Sequence, residues 1–143
     1  MSKFSAFMKS NKTVKKNEFY PVTKSLCDEN GNPLEWEFRH ITSKENEQIR
    51  NDSTREVPVF GKPNMYRQKV DGGKFALAMV VKSVVYPDLY DAELQDSYGV
   101  NTPEDLLLEM VDDPGEYTNL IAYVQKLQGY DVSFDEKVEE AKN

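Results

Sequence analysis

The chain has 143 residues, which is enough for one domain and a short tail. Its 18 basic and 25 acidic residues give a net charge of −7 and are unevenly placed: 13 basic and 9 acidic residues lie in 1–70, against 5 basic and 16 acidic in 71–143. The acidic second half argues against a protein that coats nucleic acid, because phosphate binding needs a clustered positive surface.

The first 18 residues are predicted to form a basic arm. They carry five lysines and one acidic residue, Glu18. Phe4, Phe7 and Met8 fall at i, i+3 and i+4, which is one face of a single short helix. A segment this short cannot bury a core of its own. We therefore expect an arm that is disordered in isolation or docked on another surface.

Residues 19–41 are predicted to form a β-hairpin. Apolar and charged residues alternate over 34–40, which is typical of a half-buried strand. Residues 19–26 are a plausible partner strand, and Pro21 favours an edge position for it. Asn30-Gly31 favours the tight turn between them. The side chains predicted to face inward are Leu34, Trp36 and Phe38.

From Thr42 onward the sequence predicts helices. Thr42 and Glu45 form a capping box that opens a helix over about 43–55. The breaker-rich stretch 57–73 is predicted to be a loop. The apolar segment 74–86 has the length of a core helix, while its β-branched end would suit a strand, and Pro87 ends it in either case.

Three further helices and a short final one are predicted after Pro87. They span about 88–98, 103–111 and 114–128, and the last begins at Ser133. Cap residues, first-turn prolines and terminal glycines support them. The predicted caps and stops are Asp88, Gly99, Thr102, Asp113 and Gly129.

Together these elements predict an α+β fold that is mostly helical. An N-terminal hairpin packs on about five or six α-helices and is preceded by the basic arm. The predicted division is an arm over 1–18 and a single domain over 19–143, with the hairpin at about 19–41 and a helical body at about 42–142.

The residues that could carry chemistry are few. A lone cysteine, Cys27, and a lone histidine, His40, exclude an intrachain disulfide, a multi-thiolate zinc site and two-histidine metal motifs. If the hairpin turns at Asn30-Gly31, His40 lies opposite Pro21 and about 20 Å from Cys27, too far for a catalytic dyad.

Two further runs of residues lack the spacing that a phosphate-binding loop or a calcium site requires. The run Gly72-Gly73-Lys74 lacks the first glycine and the hydroxyl of a phosphate-binding loop. The acidic run 88–96 lacks the ligand spacing of an EF-hand and is typical of a solvated helix face. We therefore expect no enzyme, no cofactor and no metal.

The longest apolar run, 75–81, is too short to cross a bilayer, and the amino terminus lacks the apolar core of a signal peptide. These features predict a soluble cytoplasmic protein without a membrane partner.

Several stretches resemble the XkdN-like family of phage tail assembly chaperones, found in contractile-tailed phages and in phage-like elements of Gram-positive bacteria. The most specific runs from Val84 to Val100. A second runs from Pro114 to Leu120 and continues to Asp131, and a third covers 7–12. The residues that carry the resemblance most clearly are Tyr86, Pro87, Asp88, Leu89, Glu93, Leu94, Gln95, Tyr98, Gly99, Glu116, Tyr117 and Leu120.

The resemblance implies a non-enzymatic protein of the bacterial cytoplasm. Such chaperones coat the long helical tape-measure protein before the tail tube polymerises around it, and they are absent from the finished tail. In many phages a frameshifted extension is thought to recruit tail-tube subunits. Self-association along the rod would suit this role.

The arm is the predicted partner-binding element. Apolar anchors flanked by lysine fit a groove or a neighbouring subunit, and the candidate residues are Phe4, Phe7, Met8 and Lys9. The segment from Val84 to Val100 also has a structural explanation, because Pro87 would end one helix and Asp88 would cap the next. An alternative function is a small regulatory or nucleic-acid-interacting module of a mobile element that works through the basic arm, although nucleic acid is the less expected partner.

Overall fold

A computed structural model describes residues 2–130. Within this range it confirms the α+β fold and contains five α-helices, so the predicted final helix from Ser133 lies outside the described residues. The helices are α1 Ser43–Asp52, α2 Gly72–Ser83, α3 Ala92–Ser97, α4 Pro103–Met110 and α5 Pro114–Leu127. The strands are β1 Glu18–Pro21, β2 Glu35–Phe38, β3 Thr54–Pro58, β4 Tyr66–Val70 and β5 Val84–Tyr86.

Strand β2 is the centre of a three-stranded antiparallel sheet of order β1-β2-β5. β1 is therefore an edge strand, as Pro21 predicts. Phe38 pairs with Glu18 on one side and with Val84 on the other. The register to β5 shifts beside Phe38, so β5 has one residue more than β2 at that point, which is a β-bulge.

The predicted register of the hairpin is wrong by five residues. The turn itself is present, because the Asp28 carboxylate accepts hydrogen bonds from the Asn30 and Asn32 amides at 2.9 Å each. Pro21, however, pairs with Glu35 and not with His40. The chain leaves the ladder after Pro21 to bury Val22 and Thr23, and this detour absorbs the missing residues.

Two consequences follow from the observed register. Leu34, predicted to face inward, precedes the ladder and is 45% exposed. Cys27 bridges to Pro33, so His40 lies seven residues further along the chain, about 23 Å if the chain is extended. Cys27 and His40 are therefore far apart, as predicted. The reason is the pairing of Cys27 with Pro33, and not a position of His40 opposite Pro21.

The stretch predicted to be a loop is a second β-hairpin. α1 has its capping box but ends at Asp52, and β3 begins two residues later. β3 and β4 pair over five residues each, from Thr54 with Val70 to Pro58 with Tyr66. Because most side chains of this hairpin are exposed, its strands lack the apolar alternation that marks a half-buried strand.

The apolar segment 74–86 forms most of helix α2 and then the strand β5. Asp71 caps α2 by accepting a hydrogen bond from the Lys74 amide at 3.1 Å, which makes Gly72-Gly73 the lead-in of the helix. α2 ends at Ser83, and the β-branched residues that follow enter the sheet as β5. β5 then ends at a cis Tyr86–Pro87 peptide.

The last three helices start and stop near the predicted residues, with one correction. Asp91, and not Asp88, caps α3 by accepting from the Leu94 amide at 2.9 Å. Asp88 accepts from the Tyr90 amide at 3.0 Å and closes the turn before the helix. The predicted caps Thr102 and Asp113 are confirmed. Gly99 and Gly129 have φ of +69° and +86°, which is the left-handed conformation that ends a helix.

The core lies between the inner face of this sheet and the helices. Phe38 is fully buried, and its ring meets Tyr20 and Tyr123, which stack on each other at 4.1 Å. Gln128, just after α5, ties three segments together. Its amide oxygen accepts from the Ile41 amide at 2.8 Å, and its amide nitrogen donates to the Arg39 carbonyl and the Ser83 hydroxyl at 2.9 Å each.

A charged pair fixes the start of α1. The Arg39 guanidinium donates two hydrogen bonds to the Glu45 carboxylate, at 2.6 and 3.0 Å, and that carboxylate also accepts from the Thr42 amide. The Arg39 hydrogen bonds, followed by the Thr42 amide, lower the pKa of Glu45 from 4.5 to about 2.

The low pKa of Glu45 makes stability depend on pH. A carboxyl whose pKa is lower in the folded state stabilises the protein above its unfolded pKa, and this stabilisation is lost as the pH falls. We expect Glu45→Gln to be less stable than the wild type at neutral pH and to lose less stability between about pH 4.5 and 2. Urea unfolding at a series of pH values measures the difference.

The matched control is Glu47→Gln, which changes an exposed carboxylate on the same helix. It should follow the wild-type pH dependence. If Glu45→Gln also follows it, the pair with Arg39 contributes nothing to folding.

Candidate functional site

The arm presents its apolar side chains to solvent. Phe4, Phe7 and Met8 are 60%, 86% and 49% exposed, and Lys9 is exposed as well. The arm forms two 3-10 turns, Ser5–Phe7 and Lys9–Asn11, where the sequence predicts one face of a single helix. Such short turns are a conformation that a lysine-rich segment without tertiary packing can adopt.

The hydrogen bonds of the turns stay within the arm. The Phe7 amide donates to the Phe4 carbonyl and the Asn11 amide to the Met8 carbonyl, at 2.9 Å each. The arm joins the body at β1, where the Asn17 side chain donates to the Glu37 carboxylate at 2.8 Å. The candidate residues are thus exposed and belong to turns whose backbone hydrogen bonds are local.

The outer face of the sheet carries two exposed aromatic side chains beside this junction. Phe19, Glu37 and Tyr86 form one cross-strand row, and the two rings are 61% and 66% exposed. Neighbouring strands lie about 4.8 Å apart, so the rings are about 10 Å apart across the row. Tyr86, from the segment that carries the family resemblance, therefore lies in the same sheet as the strand that follows the arm.

Sequence reasoning did not identify Phe19 as a surface residue. The available signal was its position next to Tyr20 in a strand, since alternate residues face opposite sides of a sheet. Tyr20 packs on the core, so Phe19 must face outward.

Most residues that carry the resemblance hold the fold together. Leu89 and Leu120 are 2% and 0% exposed. The Gln95 side chain donates to the Leu89 carbonyl at 2.8 Å, which fixes the turn before α3. Leu94, Tyr98 and Tyr117 pack against the core, and burial raises the pKa of Tyr117.

Glu116 connects α5 to the chain that follows β1. Its carboxylate accepts from the Thr23 hydroxyl at 2.7 Å and from the Lys24 amide at 2.8 Å. The partners are more than 90 residues away in the sequence. Glu116 thus holds the chain in the detour that shifts the register of the first hairpin.

The remaining residues of the resembling segment lie at the surface. Tyr86, Asp88 and Glu93 are exposed, while Pro87 is half-buried. The structure thus divides the predicted site residues into an internal set and an exposed set. The exposed set can contact a partner.

Polar groups that could support chemistry are scattered. Cys27 is exposed, and its thiol donates to the Lys24 carbonyl at 2.9 Å. Among residues 2–130, no group of three or more His, Cys, Asp or Glu side chains is placed to hold a metal ion. In the same range, no helix combines the length and apolarity needed to span a membrane.

A family model described as the phage XkdN-like tail assembly chaperone protein matches residues 4–142. The chain is similar to the phage-like element PBSX protein XkdN of Bacillus subtilis, with 24% identity over 96% of this chain and 93% of that protein. It is equally similar to YqbN of the same organism, with 24% identity over 96% of this chain and 92% of that protein.

The fold matches a solved structure. The crystal structure of the protein YqbN superposes with a TM-score of 0.74 at 21% sequence identity. The match covers 92% of this chain and 99% of that chain. It supports the α+β arrangement described above.

Glu116 is expected to be a stability residue. Glu116→Ala removes two hydrogen bonds to a carboxylate and leaves the Lys24 amide without its partner, so the free energy of unfolding should fall by about 2 kcal/mol. Urea denaturation measures this loss. The control Asn119→Ala, at an exposed position one turn further along α5, should change it by less than about 0.5 kcal/mol. Wild-type stability in Glu116→Ala would contradict the structural role.

Proposed function

Because the chain belongs to the phage XkdN-like tail assembly chaperone family, we propose that it binds the tape-measure protein during tail assembly, through its exposed arm. The arm is the observation that carries this proposal. Its three apolar anchors lie within five residues, and each is about half exposed or more. Side chains of this kind lose contact with water when a partner covers them, and this favours binding.

A long helical partner suits this arm. Helices that form coiled coils expose apolar stripes until they associate, and aromatic anchors can fill the gaps along such a stripe. Four lysines of the arm, Lys9, Lys12, Lys15 and Lys16, lie between the anchors and the sheet. They can contact acidic side chains that flank the stripe, which adds selectivity and speeds encounter.

The outer face of the sheet extends this binding surface. Phe19 follows the arm in the chain, and Tyr86 lies across the sheet from it. A partner segment held by the arm would reach both rings with little further cost in conformational entropy, because both belong to ordered strands.

In this proposal the protein acts without catalysis, in the cytoplasm of the bacterial host, and is released before the tail is complete. Reversible release favours many modest contacts over one deep pocket. Tail-tube subunits are a further proposed partner.

The test is co-expression of this chain with the tape-measure protein of the same phage or phage-like element. The wild type should co-purify with it and raise its soluble yield. Phe4→Ser combined with Phe7→Ser should reduce the retained fraction by about tenfold or more, because two buried anchors are lost.

Val14→Ser is the matched control, because Val14 is 87% exposed in the same arm but lies outside the anchor group. It should leave co-purification unchanged. If the wild type neither co-purifies with the tape-measure protein nor raises its solubility, the proposed partner is wrong. If it instead retains DNA or RNA at low salt through the arm lysines, the protein is a nucleic-acid-interacting module.

A further inference from the structure

The hairpin of β3 and β4 projects from the body. Every residue from Phe60 to Lys69 is exposed, and Phe60 at the tip is fully so. At its base, the Asp71 amide donates to the Ser53 carbonyl at 2.8 Å, and the Thr54 hydroxyl donates to the Arg50 carbonyl at 2.8 Å. A two-stranded hairpin is only marginally stable in water when nothing packs on its faces. Contact with a partner would cover a face of this hairpin and stabilise it.

One face of this hairpin is basic. Arg55 pairs directly with Lys69, and Val57 pairs with Arg67, so these four side chains share one face. We call them the basic face. Like charges placed opposite each other are destabilising unless an anion lies between them. Within residues 2–130 the ion pairs are those of Glu45 with Arg39 and Lys82, so no internal carboxylate neutralises the basic face.

The same chain carries a surface of the opposite sign. Residues 87–125 contain ten acidic residues and no Lys or Arg. On α4, Asp105, Leu108 and Glu109 are exposed at i, i+3 and i+4, which is one side of the helix, and the exposed Asp112 follows two residues after the helix ends. We call these four the acidic face. Leu108 is 41% exposed between the carboxylates.

We propose that the basic face of one copy docks on the acidic face of a second copy. Each face has an apolar side chain, Val57 or Leu108, among its charges. The dimensions agree, because the helical part of the acidic face, from Asp105 to Glu109, spans about 6 Å and the two basic rows of the hairpin lie about 7 Å apart. Such pairing joins unlike surfaces, so each copy keeps one free face of each kind and association continues into chains or closes into a ring.

Pairing of two hairpins edge to edge is the less favourable way to join two copies. An antiparallel pair of β4 strands centred on Gln68 would place Arg67 of one copy opposite Lys69 of the other. That contact adds like-charge repulsion to a hairpin that already has it. Docking on the acidic face removes the repulsion.

The experiment measures self-association by sedimentation at low and high salt. The wild type should associate at low salt and dissociate at high salt, because the contact is between exposed charges. Arg67→Glu with Lys69→Glu, and separately Glu109→Lys with Asp112→Lys, should each weaken association by about tenfold or more. An equal mixture of the two variants should regain association, because each retains the face that the other has lost and the two reversed faces are again of opposite sign.

The matched control is Lys44→Glu with Arg50→Glu, which makes the same change in net charge on α1 and should associate like the wild type. A neutral version, Arg67→Gln with Lys69→Gln, covers the case in which the charge reversal unfolds the hairpin, and it should also weaken association.

Three results would overturn the proposal: a wild type that is monomeric at every salt concentration, variants that associate as the wild type does, or a basic face that retains duplex DNA in place of a second copy. None of them bears on the arm, whose test uses a different partner.

Discussion

The burial of Trp36 and Phe38 on the central strand is the constraint on which the rest of the structure depends. Their side chains are 2% and 0% exposed, and they face the helices from the middle strand of the sheet. β1, at the end of the arm, and β5, at the start of the segment that carries the family resemblance, both pair with this strand. Inserting these two rings into the core therefore brings together parts of the chain that are more than 60 residues apart.

Fixing one face of the sheet also determines what the other face can do. Since alternate residues of a strand face opposite sides, the packing of the half-buried Tyr20 against the core, beside the buried Trp36 and Phe38, forces Phe19 outward. Tyr86 joins Phe19 because its strand pairs with the opposite edge of β2. The aromatic surface beside the arm is thus a consequence of core packing together with two aromatic residues at outward positions. Glu116 contributes by holding the chain after β1, which sets the register.

The features that could be predicted from the sequence are those set by local interactions. The caps Thr102 and Asp113 depend on residues a few positions apart, and each is found at its predicted place. The register of the first hairpin depends on the burial of Val22 and Thr23 against the body, which no local pattern signals. The strands of the second hairpin are mostly exposed, so their sequence lacks the alternation of apolar and polar residues that marks a half-buried strand. The basic composition of residues 1–18 is visible in the sequence. The surface formed by Phe19 and Tyr86 is not, because it depends on the pairing of β1 and β5 with β2.

Hydrogen exchange of the free protein and of the protein co-purified with the tape-measure protein tests the central claim most directly. The turns of the arm are held by local hydrogen bonds alone, so residues 2–17 should exchange rapidly in the free protein. We expect strong protection of these residues and of β1 in the complex, with little change in α4 and α5. An arm that exchanges equally fast in both states, with new protection confined to other parts of the body, would contradict the account.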